Sequence, residues 1–329
     1  MSNSYLLERK RLFQSFAAIS NDNEFWQLTR AIHKFQLKYN PLFNEYHDQV
    51  AQNYSESEFT YLPISFFKSH KIKSGHWKEE TRFSSSGTSG VNSIHQVKNK
   101  KFYLKNASII FQKTYGSLND YCFVCLLPSY LEREGSSLIT MCDHFIKESQ
   151  IDNSAFYLYD HDKLFRTLTK LKKLNQKTIL IGVSYALLDF VESNNIDWSQ
   201  LIVIKTGGMK GRREEMNSSE LDSILKVNLG VDFIHAEYGM TECFSQLYSQ
   251  NGQSYSLNLH MKAKISDMSD PFHMVKKGKS GRINIIDLAN IDTVSFIATD
   301  DVGYINEKNE LVVLGRIDNS DLRGCNMLL

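Results

Sequence analysis

The sequence predicts an α/β fold: a mostly parallel sheet flanked by helices, with a smaller β-rich part after it. Three observations predict it. Apolar runs of strand length, at 121–127, 178–183 and 201–205, alternate with helix-length segments between residue 81 and about residue 250. These runs are continuously apolar, as expected of strands covered on both faces. Beyond about residue 250 no long helical pattern continues, and the apolar runs at 281–288, 293–298 and 311–314 are joined by turn-rich links.

The expected elements follow in order. Residues 1–80 read as mostly helical. Asn21-Asp22-Asn23 can cap a helix through Lys38, with Phe25, Leu28, Ile32 and Phe35 on one apolar face. Asn40-Pro41 breaks it, and a second helix runs over 41–54. In the 81–250 core, strands are expected at 93–97, 121–127, 156–159, 178–183 and 201–205. Helices are expected at 100–116, 136–148, 163–174, 186–194 and 213–229. This gives three regions: a helical segment at 1–80 packed on the core, an α/β core at 81–250, and a β-rich region at 251–329.

Composition removes several function classes. The 38 basic and 37 acidic residues nearly cancel, to a net charge of +1, so no broad field points to nucleic acid or an anionic membrane. The start, MSNSYLLERKRLFQSF, is charged where a secretory leader would be apolar. No apolar run approaches a bilayer's thickness. The expectation is a soluble, cytoplasmic protein. Five cysteines suit a reducing compartment. Cys122 and Cys125 fall three apart on one expected strand and so face opposite sides, which favours two small buried residues over a metal pair.

Thr81 to Gly90 reads TRFSSSGTSG. Glycines permit close backbone approach, and successive amides and hydroxyls can form a concave anion site. The stretch lacks the Gly-Lys-Ser/Thr ending of a Walker loop and the G-x-G of a dinucleotide fingerprint. On composition alone, a linker or plain turn stays open beside a phosphate loop.

Downstream come His235-Ala-Glu-Tyr-Gly-Met-Thr-Glu242, Thr299-Asp-Asp-Val-Gly303 and Gly315-Arg-Ile-Asp318. With the Ser/Thr/Gly loop, these resemble in order and spacing the motifs of the adenylate-forming (acyl-activating) superfamily. Leu127-Pro-Ser-Tyr-Leu-Glu-Arg-Glu-Gly-Ser-Ser137, Lys205-Thr-Gly-Gly-Met-Lys-Gly-Arg-Arg213 and Leu322-Arg-Gly-Cys-Asn326 are similar to the acyl-protein synthetase (LuxE) branch. The chain departs from the pattern twice. The loop continues Gly90-Val-Asn-Ser93 without the usual proline and lysine, and Asp300 replaces the glycine of the usual Thr-Gly-Asp.

The resemblance implies a fold like the N-terminal domain of these enzymes and an acid-thiol ligase reaction. A carboxylic acid, here a fatty acid, becomes an acyl-adenylate at the cost of ATP and is then passed to a protein cysteine. ATP would be held by Ser85, Ser86, Gly87, Thr88 and Gly90 at the phosphates, by Gly207 and Gly208, and by Tyr238 and Gly239 along the nucleotide. Thr241 would reach a phosphate oxygen, Glu242 would bind Mg²⁺, Asp301 would hold the ribose, and Arg316 would lie near phosphate or ribose. The family's lid domain of roughly a hundred residues is expected to be absent. Cys325, within about 25 Å of Asp318 by chain reach, is the expected acyl acceptor. A LuxC-like fatty acid reductase, or a carrier thiol, would be the partner.

Other readings stand beside this one. Arg212 and Arg213 could meet a phosphate or only solubilise a helix start. His95 could stand in for the missing lysine, although a surface histidine is the plainer reading. The acyl group could go to coenzyme A or a carrier protein. Gly182-Val-Ser-Tyr-Ala186 resembles a nucleophile elbow, which would make Ser184 a hydrolase or acyltransferase nucleophile. A non-catalytic nucleotide-binding subunit is the remaining alternative.

Overall fold

The computed structural model describes residues 3–53, 58–85, 91–127, 135–207, 216 and 218–317. The chain forms two compact bodies. The first comprises 1–66, 72–76 and 259–329, so it joins the two ends of the sequence; the second comprises 67–71 and 77–258. No described helix is long and apolar enough to cross a membrane.

The first body opens with α1 (Asn3–Ala18), α2 (Asp22–Tyr39) and α3 (Pro41–Val50). Asn21 caps α2 by accepting the Glu24 N–H at 3.0 Å, and Phe25, Leu28, Ile32 and Phe35 form its buried face as expected. Asn40 ends one helix and starts the next. Its N–H goes back to the Gln36 carbonyl at 2.8 Å, and its side-chain oxygen accepts the Phe43 N–H at 3.1 Å. Pro41 occupies the first turn, where a missing N–H does no harm. A short strand, β1 (Leu62–Pro63), follows; the one-turn helix α4 (Phe66–Ser69) belongs, but for its first residue, to the second body.

The second body begins with a hairpin, β2 (Thr81–Ser84) and β3 (Ile94–Val97), paired antiparallel. The first residues of TRFSSSGTSG are thus a strand. Alternation then proceeds through α5 (Lys100–Tyr115), β4 (Cys122–Leu126), α6 (Ser137–Ser149), β5 (Ala155–Phe156), α7 (His161–Lys173), β6 (Thr178–Val183), α8 (Ser184–Ser193), β7 (Ile202–Thr206), α9 (Ser218–Leu229) and β8 (Ile234–Tyr238). Two short strands, β9 (Leu247–Ser249) and β10 (Tyr255–Ser256), close the segment. The main sheet has the order β5-β4-β6-β7-β8-β9, parallel except for β9. Every residue of β4 and β6 is buried, as the continuous apolar runs require. Cys122 and Cys125 are both fully buried in β4. The β8 strand lay outside the sequence reading, because His235 and Glu237 interrupt its apolar pattern. The helix expected from 213 is described from Ser218, where the Lys205 ammonium on β7 meets both the Ser218 hydroxyl at 2.7 Å and the Asp222 carboxylate.

The chain then returns to the first body as an antiparallel meander, β11 (Met261–Ser266), β12 (Gly281–Asp287), β13 (Phe296–Ile305) and β14 (Glu310–Arg316). β1 adds in parallel to the first half of β13. Phe296 anchors this core, with Phe59 stacked at 5.3 Å and His33 edge-on at 4.9 Å. The Nε2 of His33 accepts the Thr60 N–H at 3.2 Å, and burial pushes the imidazole down to about 4. Polar side chains of the helices tie down the 290–295 turn. Gln36 donates to the Asn290 carbonyl at 3.0 Å and accepts the Ser295 N–H at 3.0 Å. Asn40 donates to the Thr293 carbonyl at 3.1 Å, and Arg9 grips Asp292 with two nitrogens at 2.6 Å.

Candidate active site

In open α/β sheets, ligands bind beyond the carboxyl ends of the parallel strands. In the second body that edge is formed by the ends of β6, β7 and β8 and the turns after them. The Tyr-Gly-Met-Thr-Glu segment lies here. Tyr238 is the last residue of β8 and is buried, with its ring 5.7 Å from that of Tyr255. Gly239 is exposed, and a Cβ there would come within 2.1 Å of a Glu237 oxygen, so a larger residue would displace that carboxylate. Thr241 is partly exposed and Glu242 is buried at 5% accessibility.

The turn is held from two sides. His95, in β3, is fully buried, and its Nδ1 donates to the Thr241 carbonyl at 2.9 Å. Burial pushes this imidazole down to about 4, the hydrogen bond opposing the shift, so the ring is neutral near pH 7. His95 is therefore not a surface residue, and it carries no charge with which to replace a lysine. Asn106, on α5, donates to the Phe244 carbonyl and to the Ser245 hydroxyl, both at 3.0 Å. A polar residue on the buried face of α5 marks it in the sequence, but its partners lie too far along the chain to be guessed.

Ser85 directly follows β2. Its N–H donates to the Ser93 carbonyl at 3.0 Å, and its hydroxyl accepts the Ser93 N–H at 2.9 Å. Ser86, Gly87, Thr88 and Gly90 lie outside the described residues, as do Gly208, Arg212 and Arg213. Gly207 follows β7 with φ of +64°, a conformation that favours glycine. Its carbonyl accepts the Ser184 hydroxyl at 2.8 Å. That bond joins the turn after β6 to the turn after β7, so the observed partner of Ser184 is a backbone carbonyl and not a histidine. His235 contacts the Tyr115 hydroxyl at 3.2 Å.

Asp301 and Arg316 belong to the first body and sit opposite one another on β13 and β14. Their charged groups are 3.5 Å apart; the Asp301 side chain is largely covered and that of Arg316 is exposed. Cys325 lies outside the described residues.

Glu237 was not singled out from the sequence, although a carboxylate directly before Tyr238 in a strand is itself unusual. It accepts the Thr206 hydroxyl at 2.5 Å. Its surroundings push the carboxyl up to about 7, desolvation outweighing that hydrogen bond. Glu237 nonetheless keeps some accessible surface. Beside it, Gln246 and Tyr248 are buried, and among the described residues neither Gln246 Oε1 nor the Tyr248 hydroxyl has a hydrogen-bonding partner.

No protein-family model matches this sequence, and no curated protein matches it. Solved structures do resemble it in fold. ATP-bound MatB from Rhodopseudomonas palustris superposes with a TM-score of 0.54 at 15% identity, over 71% of this chain and 47% of that one. An open conformation of 2-hydroxyisobutyryl-CoA ligase, in complex with 2-HIB-AMP and CoA, superposes with a TM-score of 0.66 at 9% identity, over 91% of this chain and 70% of that one. The same ligase in its postadenylation state gives 0.66 at 10% identity. The chain therefore has the fold of adenylate-forming enzymes and spans about half the length of MatB.

Proposed function

We propose that this chain is an ATP-dependent, AMP-forming acid-thiol ligase. The observation that carries the reading is the Tyr238-Gly-Met-Thr-Glu242 turn at the carboxyl edge of a parallel sheet, in a fold shared with ligases bound to ATP and to an acyl-adenylate.

In the first step an oxygen of the substrate carboxylate attacks the α-phosphorus of ATP. The bond to the bridging oxygen breaks, and pyrophosphate leaves with the electron pair. Two anions must approach, so the site has to supply fixed donors where charge accumulates. Thr241 and the Ser/Gly run are the candidates, with Thr88 and Gly87 as the central donors. In the second step a thiolate attacks the acyl carbon and AMP departs, leaving a thioester. Glu242 fits a magnesium ion: it is a single hard, buried oxygen donor, and Mg²⁺ is commonly held by one or two carboxylates plus substrate phosphates. Bound there, the ion would offset phosphate charge. Tyr238 would lie along the nucleotide.

Coenzyme A or a carrier-protein thiol is the acceptor we favour, since a ligase of this fold is known with CoA bound. Acyl-protein synthesis on Cys325 is the second reading, favoured by the Leu322-Arg-Gly-Cys-Asn326 context and its LuxE-like companions. A fatty acid substrate and a reductase partner belong to that second reading.

Pyrophosphate exchange driven by a panel of carboxylic acids is the test. Thr88→Val and Gly87→Ala should each slow exchange tens- to hundreds-fold, roughly 2–4 kcal/mol of transition-state stabilisation. Glu242→Gln should raise the magnesium requirement and lower the rate. Exchange with no acid would overturn the proposal. Acyl transfer is then followed by mass: a hydroxylamine-labile adduct on Cys325 supports the second reading, and release to coenzyme A by Cys325→Ser supports the first.

A further inference from the structure

We infer that the sheet edge beside the Tyr238-Gly-Met-Thr-Glu242 turn is a recognition site for a hydrogen-bond donor, so that the acid this chain activates carries a hydroxyl or ammonium group. Thr206, Glu237 and Tyr248 are direct neighbours across β7, β8 and β9, so their side chains share one face of the sheet. Gln246 converges on the same place. A point at the would-be Cβ of Gly239 lies 2.1 Å from Glu237 Oε1 and 3.3 Å from Gln246 Cγ.

The hydrogen-bond inventory of this group is unbalanced. The Thr206 hydroxyl serves one oxygen of Glu237. The Gln246 amide nitrogen reaches the Phe244 carbonyl at 3.4 Å, which assigns the other end of the amide as the acceptor Oε1. Oε1 has no donor, and the Tyr248 hydroxyl has no partner, although both are buried among the described residues. Tyr248 is locked by ring contacts to Tyr115 at 5.4 Å and Phe111 at 6.0 Å. The other polar groups around it are already matched. Tyr103 donates to the Ser137 carbonyl at 3.0 Å, and Tyr115 is bonded to His235.

Folded proteins satisfy nearly all buried polar groups, so two orphans beside one carboxyl point to a ligand. The set is rich in acceptors: a carboxyl oxygen, an amide oxygen and a phenol that can accept or donate. An alkyl tail would leave them unmatched, and an anion would be repelled. A hydroxyl or ammonium satisfies them. The raised pKa of Glu237, alongside the surface it keeps accessible, suits a group lining an internal cleft.

This inference rests on the ligase reading for its choice of probes. The experiment is pyrophosphate exchange by the 329-residue chain over a matched six-carbon series: hexanoate and its 2-, 3- and 6-hydroxy and 2-, 3- and 6-amino derivatives. At least one donor-bearing acid should exceed hexanoate in kcat/KM by about tenfold or more. Glu237→Gln and Tyr248→Phe should each shrink that ratio towards one. If Glu237→Gln fails to fold, Gln246→Met, which leaves the Thr206–Glu237 bond in place, reads the same ratio. Hexanoate equal to or better than every derivative, or a ratio untouched by the substitutions, overturns the inference while leaving the ligase reading intact. Exchange with none of the acids overturns the ligase reading. The inference is then judged by thermal shift with the same compounds: a donor-bearing compound should raise Tm more than hexanoate in the native chain but not in Glu237→Gln, and equal shifts would sink it.

Discussion

Two polar clusters, one in each body, are matched in opposite ways. In the first, Gln36, Asn40 and Arg9 are each matched to named partners around the 290–295 turn. In the second, Thr206 and Glu237 are matched, but Gln246 Oε1 and the Tyr248 hydroxyl beside them are not. Both sets are buried and both involve amides. Structural polar groups gain a little from being matched and lose much when a partner is removed. A group kept unmatched costs stability in the resting fold, a cost that a bound ligand would offset.

The comparison can be broken most strongly at Gln36. Gln36→Leu would leave the Ser295 N–H without its acceptor in a closed core and remove one donor from the Asn290 carbonyl, which keeps the Thr293 N–H at 3.0 Å. A loss of about 2–3 kcal/mol is expected, read by chemical denaturation. A loss below about 1 kcal/mol would mean that the helices do not depend on this contact.

Acid sharpens the contrast. His33 in the first body and His95 in the second are both pushed down to about 4 by burial. An unfolded histidine titrates near 6.5, so each contributes stability that is full above that pH and is lost as pH falls towards 4. Each is worth up to about 3 kcal/mol. Glu237 has the opposite sign. Its carboxyl is raised to about 7. Its contribution is full below about 4.5, where the unfolded carboxyl is also protonated, and is lost as pH rises towards 7. Stability measured from pH 4 to 8 should therefore fall on the acid side in both bodies. Glu237→Gln should remove a loss that the native chain shows between pH 4.5 and 7. An identical profile in the variant would show that the carboxyl does not titrate there.

The smallest effect is expected at Gln246. Gln246→Met removes an unmatched acceptor while keeping length, so stability should change by less than about 1 kcal/mol, or rise. A large loss would show that Oε1 has a structural partner after all, and the distinction between the bodies would fail.

Much of the fold was legible. Thr178–Val183 reads as a strand at the residues it occupies, because six consecutive buried positions, four of them Ile, Leu or Val, suit a strand covered on both faces. Asn40-Pro41 marked a helix boundary through elementary capping chemistry. The strand β8 was missed because its polar residues His235 and Glu237 belong to a polar cluster rather than to the core pattern. β11 was missed because Lys262 and Lys264 alternate along it, the mark of a strand with one open face. The grouping of the first helices with the last strands depends on contacts more than 250 residues apart, such as Gln36 to Ser295, and no local pattern encodes them. At the site, the motifs located the turn at Tyr238 to Glu242. The buried support from His95 and the cluster around Glu237 came only from the pairing of strands.

The stitches from α2 to the 290–295 turn are made largely to main-chain atoms. Such contacts are blind to the identity of the residues they hold. The side chains of Asn290, Ile291, Thr293, Val294 and Ser295 are themselves buried, so substitutions there are limited to those that fit the space, but Gln36 and Asn40 would go on meeting the same carbonyls and amide through them. A residue inserted or deleted between Asn290 and Ser295 would instead put those main-chain partners out of register. Divergent copies of this chain should thus keep the turn's length more strictly than its composition.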